Sequence, residues 1–403
     1  MNEQLVVKNF GPITDATVDF KRVTVFIGPT GGGKSTLAKL AAVFRDIKFH
    51  STHKFSIALF DKYSISAYFQ NAHYLSWGRG DKTAVIENRT SFVSEELASS
   101  SSDIINSEKD RFINAFYDEI QRRLKDKLVD IETIKDKTSY KKLFDTFFQE
   151  QILSDAFGRI LAHSNPEYIP SERTIIASLE YSWAGLMRDD IGLPKPLLDF
   201  ANSFSLARKE TPELDIPFFN VKYLHIDGRD FIKIPAREEP LMLLETASGI
   251  QSVTPLLVLL EHLSRNTEQA QSFIIEEPEL NLYPTAQQGL LNWLVEKCTK
   301  GENDLTITTH SPYILSHLNL MLYAYQVAEK HPDQKAAIAA IVPEASWINP
   351  KEFACYQVEG GGVHSLVDAE LGLIDNNALD NISGDKADAF DQLININRGF
   401  AHA

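Results

Sequence analysis

An α/β fold built on a parallel sheet is predicted by three short stretches, each an apolar run that ends in polar residues. VTVFI (23–27) passes into Gly28-Pro29-Thr30-Gly31-Gly32-Gly33-Lys34-Ser35-Thr36 and then LAKLAAVFRD; SFIIEEPE (272–279) ends in adjacent glutamates; DLTITTHSPYIL (304–315) ends in Thr308, Thr309 and His310. Short β-branched apolar runs of this kind are strands buried on both faces. Helix-forming residues between them supply the crossovers that parallel strands require.

The first stretch is G-x-x-x-x-G-K-[ST] between a strand and a helix, the context this phosphate-binding loop needs. Glycines let backbone N–H groups of the loop turn inward around phosphate oxygens, and the following helix adds its positive end. Lys34 then reaches the β- and γ-phosphates of ATP, and Ser35 ligates Mg²⁺. That metal needs an acidic partner on a neighbouring strand, and Glu276-Glu277 closes the second stretch. Side chains alternate along a strand, so Glu276 can face the metal while Glu277 faces the attacking water. A helix start is expected further on, where Thr285-Ala286-Gln287-Gln288 reads as a capping box before GLLNWLVEKC. His310 closes a strand one helix later. In a doubly wound sheet it reaches the same carboxyl edge, within range of a γ-phosphate or of the attacking water.

Composition bounds the rest. The chain has 403 residues, 43% hydrophobic and 24% charged, ordinary for a globular protein. Its formal net charge of -15 opposes general binding to nucleic acid or anionic membranes, so DNA contact would need a local basic patch. Two cysteines in unrelated contexts, Cys298 and Cys355, suit a reducing compartment rather than a disulfide framework or zinc cluster. No run has the length of a membrane span or signal peptide, and a cytoplasmic protein is expected.

Together these segments resemble the ATP-binding-cassette ATPases, in particular their SMC/RecF/OLD-like branch. LVVKNFGPITDATVDFKRVTVFIGPTGGGKST is similar to the branch's strand, NFGPI turn, strand and P-loop; ETASGIQSVTPLLVLLEHL to its signature loop and helix; EEPELNLYP to its acidic strand and D-loop; TTHSPYIL to its histidine switch. The resemblance covers about 1–45 and 220–345. It implies a P-loop ATPase head with a mixed sheet, using ATP and Mg²⁺. It also implies that Ser248, Gly249 and Gln251 of the signature cover the nucleotide of another protomer, so that two ATPs join two heads into a homodimer or higher oligomer. Gln70, after SISAYFQ, is the candidate Q-loop contact to the metal, though an exposed glutamine at a strand end accounts for it equally. PEYIPSERTII (166–176) resembles a segment of the branch's phage-defence ATPases, with Arg173 its functional candidate. Thr30 and Gly32 stand where many relatives have Asn and Ser, Asn281 and Tyr283 where many have histidines, and Glu276 where most cassettes have aspartate.

Four regions are expected: 1–95, the first part of the head with an antiparallel β-subdomain; 96–215, a helical insertion; 216–345, the second part of the head; and 346–403, a C-terminal extension. Within 46–95, FSIALF, SISAYF and KTAVIENRTSFV read as strands, and His50 and His53 as surface residues. Ser99 to Ser102 mark a boundary. Phe112, Ala115, Phe116, Ile120 and Leu124 make a helical core stripe. Arg122, Arg123, Lys125 and Lys127 are then a solvated face, or a nucleic-acid patch or partner surface. FACYQVEGGGVHSLV reads as a hairpin turning at Gly360-Gly361-Gly362, followed by a final helix in AFDQLININRGF. The tail lacks a nuclease's acidic cluster, and the chain resembles the ATPase subunits of PARIS- and Septu-type defence systems. It is therefore expected to be a sensor ATPase acting on a separate effector, perhaps a nuclease. The alternative is a RecF-like repair ATPase that binds DNA itself.

Overall fold

A computed structural model of the chain describes residues 3–46, 49, 57–79, 82–87, 90–93, 166–178, 192–265, 270–375 and 389–394. The helical stripe from Phe112 to Leu124, the serine tract, His50 and His53 lie outside these residues. β1 (Glu3–Phe10) and β2 (Ile13–Phe20) form a hairpin in which Phe10 pairs with Ile13. The NFGPI turn needs left-handed backbone at Asn9 and Gly11, with φ of 51° and 56°. β3 (Val23–Ile27) follows, and the P-loop opens α1 (Lys34–Arg45). Next come α2 (Ala58–Lys62), β4 (Phe69–Arg79), β5 (Lys82–Glu87) and β6 (Thr90–Val93). After them are β7 (Glu167–Ile169), a 3₁₀ run at Ser171–Ser178, and α3 (Lys195–Glu210).

Two of the expected strands are corrected here. FSIALF contributes the short helix α2, and SISAYF a 3₁₀ turn at Ser66–Tyr68, so the strand begins only at Phe69. Alternation over so few residues does not separate a strand from a turn. The tertiary reason is an aromatic nest, in which the rings of Phe60 and Phe69 lie 4.7 Å apart and those of Phe10 and Phe69 5.1 Å. The expected antiparallel subdomain does form, in the order β2-β1-β4-β5-β6.

A further antiparallel sheet was not foreseen. It comprises β8 (Glu213–Ile216), β9 (Val221–Ile226), β10 (Arg229–Lys233) and β11 (Leu241–Met242). The boundary expected at 215 falls inside β8. The signature helix α4 (Ser248–Ser264) leads to β12 (Ser272–Glu276), α5 (Pro284–Cys298), β13 (Asp304–Thr308) and α6 (Pro312–Lys330). The chain then forms the hairpin of β14 (Phe353–Glu359) and β15 (Gly362–Ser365), turning through Gly360 and Gly361 at φ 58° and 82°. Residues 389–394 are helical.

The main sheet runs β15-β14-β3-β13-β12-β7, parallel from β14 to β7 with β15 antiparallel at one edge. Two expectations change. The acidic strand is not the neighbour of the P-loop strand, because β13 lies between them. Within the segment expected as a C-terminal extension, β14 belongs to the main sheet, pairing with β3 from Phe353↔Val23 to Gln357↔Ile27. Side chains alternate between two cores. Val23, Val25 and Ile27 face the helices α3 to α6, whereas Phe26 and Ile274 face α1 and the β1-β2-β4 sheet.

At the end of the sheet remote from the P-loop, Arg45 is 1% exposed and bonds Glu3 at 2.8 Å, Asp304 at 2.9 Å and the Ser272 hydroxyl at 2.8 Å. Burial acts to lower its pKa, but Asp304 and Glu3 together outweigh burial and hold it above the ordinary guanidinium value. One cation thus ties α1 to the starts of β1, β12 and β13.

Candidate nucleotide site

The P-loop spans Gly28 to Gly33, with φ of 139° at Gly28, 78° at Gly31 and 109° at Gly33, where a side chain would be strained. Gly32 N–H closes the turn on the Pro29 carbonyl at 3.1 Å. Pro29, Thr30, Gly31 and Ser35 are exposed, and Thr36 is buried behind them. A Cβ at Gly28 or Gly32 would also run into the Val358 carbonyl of β14. These two glycines therefore admit the neighbouring strand as well as a phosphate. Lys34 is the first residue of α1 and is buried; its Nζ donates to the Gly28 carbonyl at 2.9 Å and the Pro29 carbonyl at 3.0 Å. Burial lowers its pKa, offset in part by the charges of Glu277, Glu276 and Glu279.

Glu276 and Glu277 diverge, but not through strand alternation. Glu276 is the last residue of β12 and is 5% exposed, while Glu277 leaves the strand at φ 42°. Its N–H still donates to the Thr308 carbonyl of β13 at 2.9 Å, and its Oε1 meets His310 Nε2 at 3.2 Å. The central position of β13 is what brings His310 to Glu277. Glu276 Oε1 is buried without a hydrogen-bond partner. An orphaned carboxylate oxygen, together with the exposed Ser35 hydroxyl at the helix start, is a donor set that fits Mg²⁺ completed by phosphate oxygens and water.

Two residues of this site escaped the sequence reading or were only half read. Glu279, 8% exposed, accepts from the Thr309 hydroxyl at 2.6 Å and from His310 N–H at 3.0 Å, so it sets the loop that carries His310. Burial raises its pKa. Its position two residues beyond the glutamate pair was the available signal. Arg173, fully buried, donates from Nη1 to the Glu276 carbonyl and from Nη2 to the Glu277 carbonyl, both at 2.7 Å.

In the segment expected to be the signature, Ser248 is exposed as the first residue of α4, with Ala247 rather than the serine as N-cap. Gly249 is pressed on the D-loop: a Cβ there would lie 2.8 Å from the Asn281 carbonyl. Gln251 turns its amide back, donating to the Leu244 carbonyl at 2.9 Å and the Thr246 carbonyl at 2.7 Å, and so braces its own loop. Gln70 is the second residue of β4, and its side chain lies outside the described residues. The expected capping box is corrected as well. α5 starts at Pro284 after Tyr283, because proline's fixed φ and missing N–H suit the first helical position. Gln287 instead bonds the Leu282 carbonyl at 3.0 Å and the Ser311 hydroxyl at 2.5 Å, linking the D-loop to the histidine loop.

Comparison with known proteins bears on the fold and the family. Residues 23–316 match the model of a family described as "AAA domain, putative AbiEii toxin, Type IV TA system". No curated protein matches the chain. Among solved structures, the SMC head domain from Thermotoga maritima is similar at 12% identity, covering 91% of this chain and 98% of that one, with a TM-score of 0.37. The SMC head domain derived from Pyrococcus furiosus, bound to the C-terminal domain of ScpA, is similar at 11% identity, covering 90% and 95%, also with a TM-score of 0.37. Both superpositions are too loose to carry a role across. The family match covers most of the chain, and by it the chain belongs to this AAA-domain family of P-loop ATPases.

Proposed function

We propose that the chain hydrolyses ATP at the carboxyl edge of its main sheet, with Glu277 as general base. The observation that carries this reading is the pairing of Glu277 Oε1 with His310 Nε2 at 3.2 Å, on a carboxylate whose charge is felt by Lys34. Lys34 exchanges the Gly28 and Pro29 carbonyls for phosphate oxygens, and the N–H groups of the loop residues after Pro29 cradle the rest. Ser35 and Glu276 would hold Mg²⁺, with Gln70 as a further contact; when bound, the metal neutralises phosphate charge. Glu277 accepts the proton of the attacking water, while His310 orients that carboxylate and donates toward the γ-phosphate.

The second half of the proposal is an ATP sandwich between two copies. The exposure of Ser248 at a helix start, with Gly249 buried beside it on the Asn281 carbonyl, supports this reading. The ATP cycle would then govern a separate effector, as in a sensor ATPase of antiviral defence. The family description, which names a putative toxin of a toxin–antitoxin system, is compatible with that task.

The test is Glu277→Gln. The variant should bind ATP, lose steady-state hydrolysis and accumulate an ATP-dependent dimer on gel filtration. Wild-type turnover would overturn the assignment of the base. A monomer with ATP bound would overturn the sandwich. Stimulation of hydrolysis by DNA, with salt-sensitive DNA binding by the chain alone, would replace the effector reading with that of a DNA-binding repair ATPase.

A further inference from the structure

Arg173 lies on the 3₁₀ run Ser171–Ser178, which packs along the signature helix α4, and it is fully buried. Its hydrogen bonds go to main-chain carbonyls: Pro170 at 3.2 Å, and Glu276 and Glu277 at 2.7 Å each. The last two oxygens belong to the peptide planes on either side of the Glu277 Cα. Those planes define φ and ψ of Glu277, whose φ of 42° lies in the left-handed region that is strained for a residue other than glycine. The first plane is also held by Glu277 N–H on the Thr308 carbonyl at 2.9 Å, and the second by Leu280 N–H on the Glu277 carbonyl at 3.1 Å. A planar guanidinium fork can hold both planes at once, which the point charge of a lysine cannot do. Keeping it there has a cost. Arg173 Nε is buried without a partner, and burial lowers the guanidinium pKa to about 10, against the pull of Glu279, Glu277, Glu276 and Glu172. A residue needed only to fill this core could be apolar.

We infer that Arg173 is a positioning residue for ATP hydrolysis, its fork fixing the left-handed backbone of Glu277 so that the carboxylate stays on His310 and the attacking water. The inference rests on Glu277 as the base. Because the same 3₁₀ run touches α4, the hold on Glu277 is continuous with the helix that carries Ser248.

The experiment uses the full chain with Arg173→Lys and Arg173→Gln, read by steady-state kinetics, binding of a fluorescent N-methylanthraniloyl-ATP, and melting temperature. A base displaced by a fraction of an ångström to an ångström lowers kcat by about 10- to 100-fold. Nucleotide affinity is expected to stay within about 3-fold, since Arg173 touches no P-loop group. Combined with Glu277→Gln, either Arg173 variant should add no further loss in single-turnover hydrolysis, because both act through one carboxylate. Wild-type kcat in folded Arg173→Lys, or a further multiplicative loss in the double variant, overturns the inference. So does failure of both variants to fold, which would make Arg173 a folding residue. Normal turnover by Glu277→Gln alone would instead remove the assignment of the base, a separate failure.

Discussion

Arg45→Met tests the tie at the end of the molecule far from the nucleotide. The methionine keeps much of the apolar stem but removes the cation, leaving Glu3 and Asp304, whose side chains are 0% exposed, facing each other without it. Asp304 retains the Ser272 hydroxyl at 3.1 Å, and Glu3 retains Trp77 Nε1 at 3.0 Å and Arg79 at 4.0 Å. Removing one partner of a buried ion cluster costs about 3–5 kcal/mol. Loss of the guanidinium's contact with the Phe20 ring, 4.6 Å from its centroid, adds about 0.5–1 kcal/mol. At about 2–4 °C per kcal/mol for a cooperative unit of this kind, the melting temperature should fall by roughly 7–24 °C. The assay is thermal unfolding at fixed protein concentration without nucleotide. The triple variant Arg45→Met, Glu3→Gln, Asp304→Asn should recover most of the loss, because it buries no uncompensated charge. A drop of less than about 2 °C in the single variant, or no recovery in the triple, would refute the view that Arg45 neutralises buried carboxylates.

Two further outcomes are expected. Gly249→Ala puts a Cβ 2.8 Å from the Asn281 carbonyl and 3.1 Å from Leu282, forcing the D-loop from the signature. Overpacking of this kind costs about 1–3 kcal/mol, and ATP-dependent dimerisation on gel filtration should weaken more than nucleotide binding by the monomer; unchanged dimerisation would count against the contact. Glu167, at the start of β7, has its pKa raised to about 7 by burial, against the lowering effects of a Ser203 hydrogen bond and Lys62. The folded state therefore binds this proton more tightly than the unfolded chain, and stability is lost as pH rises from about 4.5 to 7. Glu167→Gln should raise the melting temperature at pH 8 and change it little at pH 4.5; an equal effect at both values would refute the cause.

The local chemistry of the site was legible from the chain, and its wiring was not. GPTGGGKST specifies a strand, a glycine loop and a helix start because each depends on neighbours within a few residues. The same holds for the signature helix, for the acidic strand ending at Glu276, and for the hairpin at Gly360-Gly361. The faults were of two kinds. SISAYF and the capping box failed because short patterns fit more than one local structure, and aromatic packing or Pro284 decided between them. Strand order failed because it is non-local: no neighbour of β12 announces that β13 will intervene, or that a strand from residue 353 onward will press Val358 on the P-loop. Glu279 and Arg173 belong to that second kind, since their partners lie 30 and more than 100 positions away in sequence. The sequence by itself determined which groups can handle a phosphate, a metal and a proton, through backbone and side-chain chemistry confined to short segments. Only the tertiary structure decided which of them meet, because the order of strands across the sheet sets which carboxylate faces which cation.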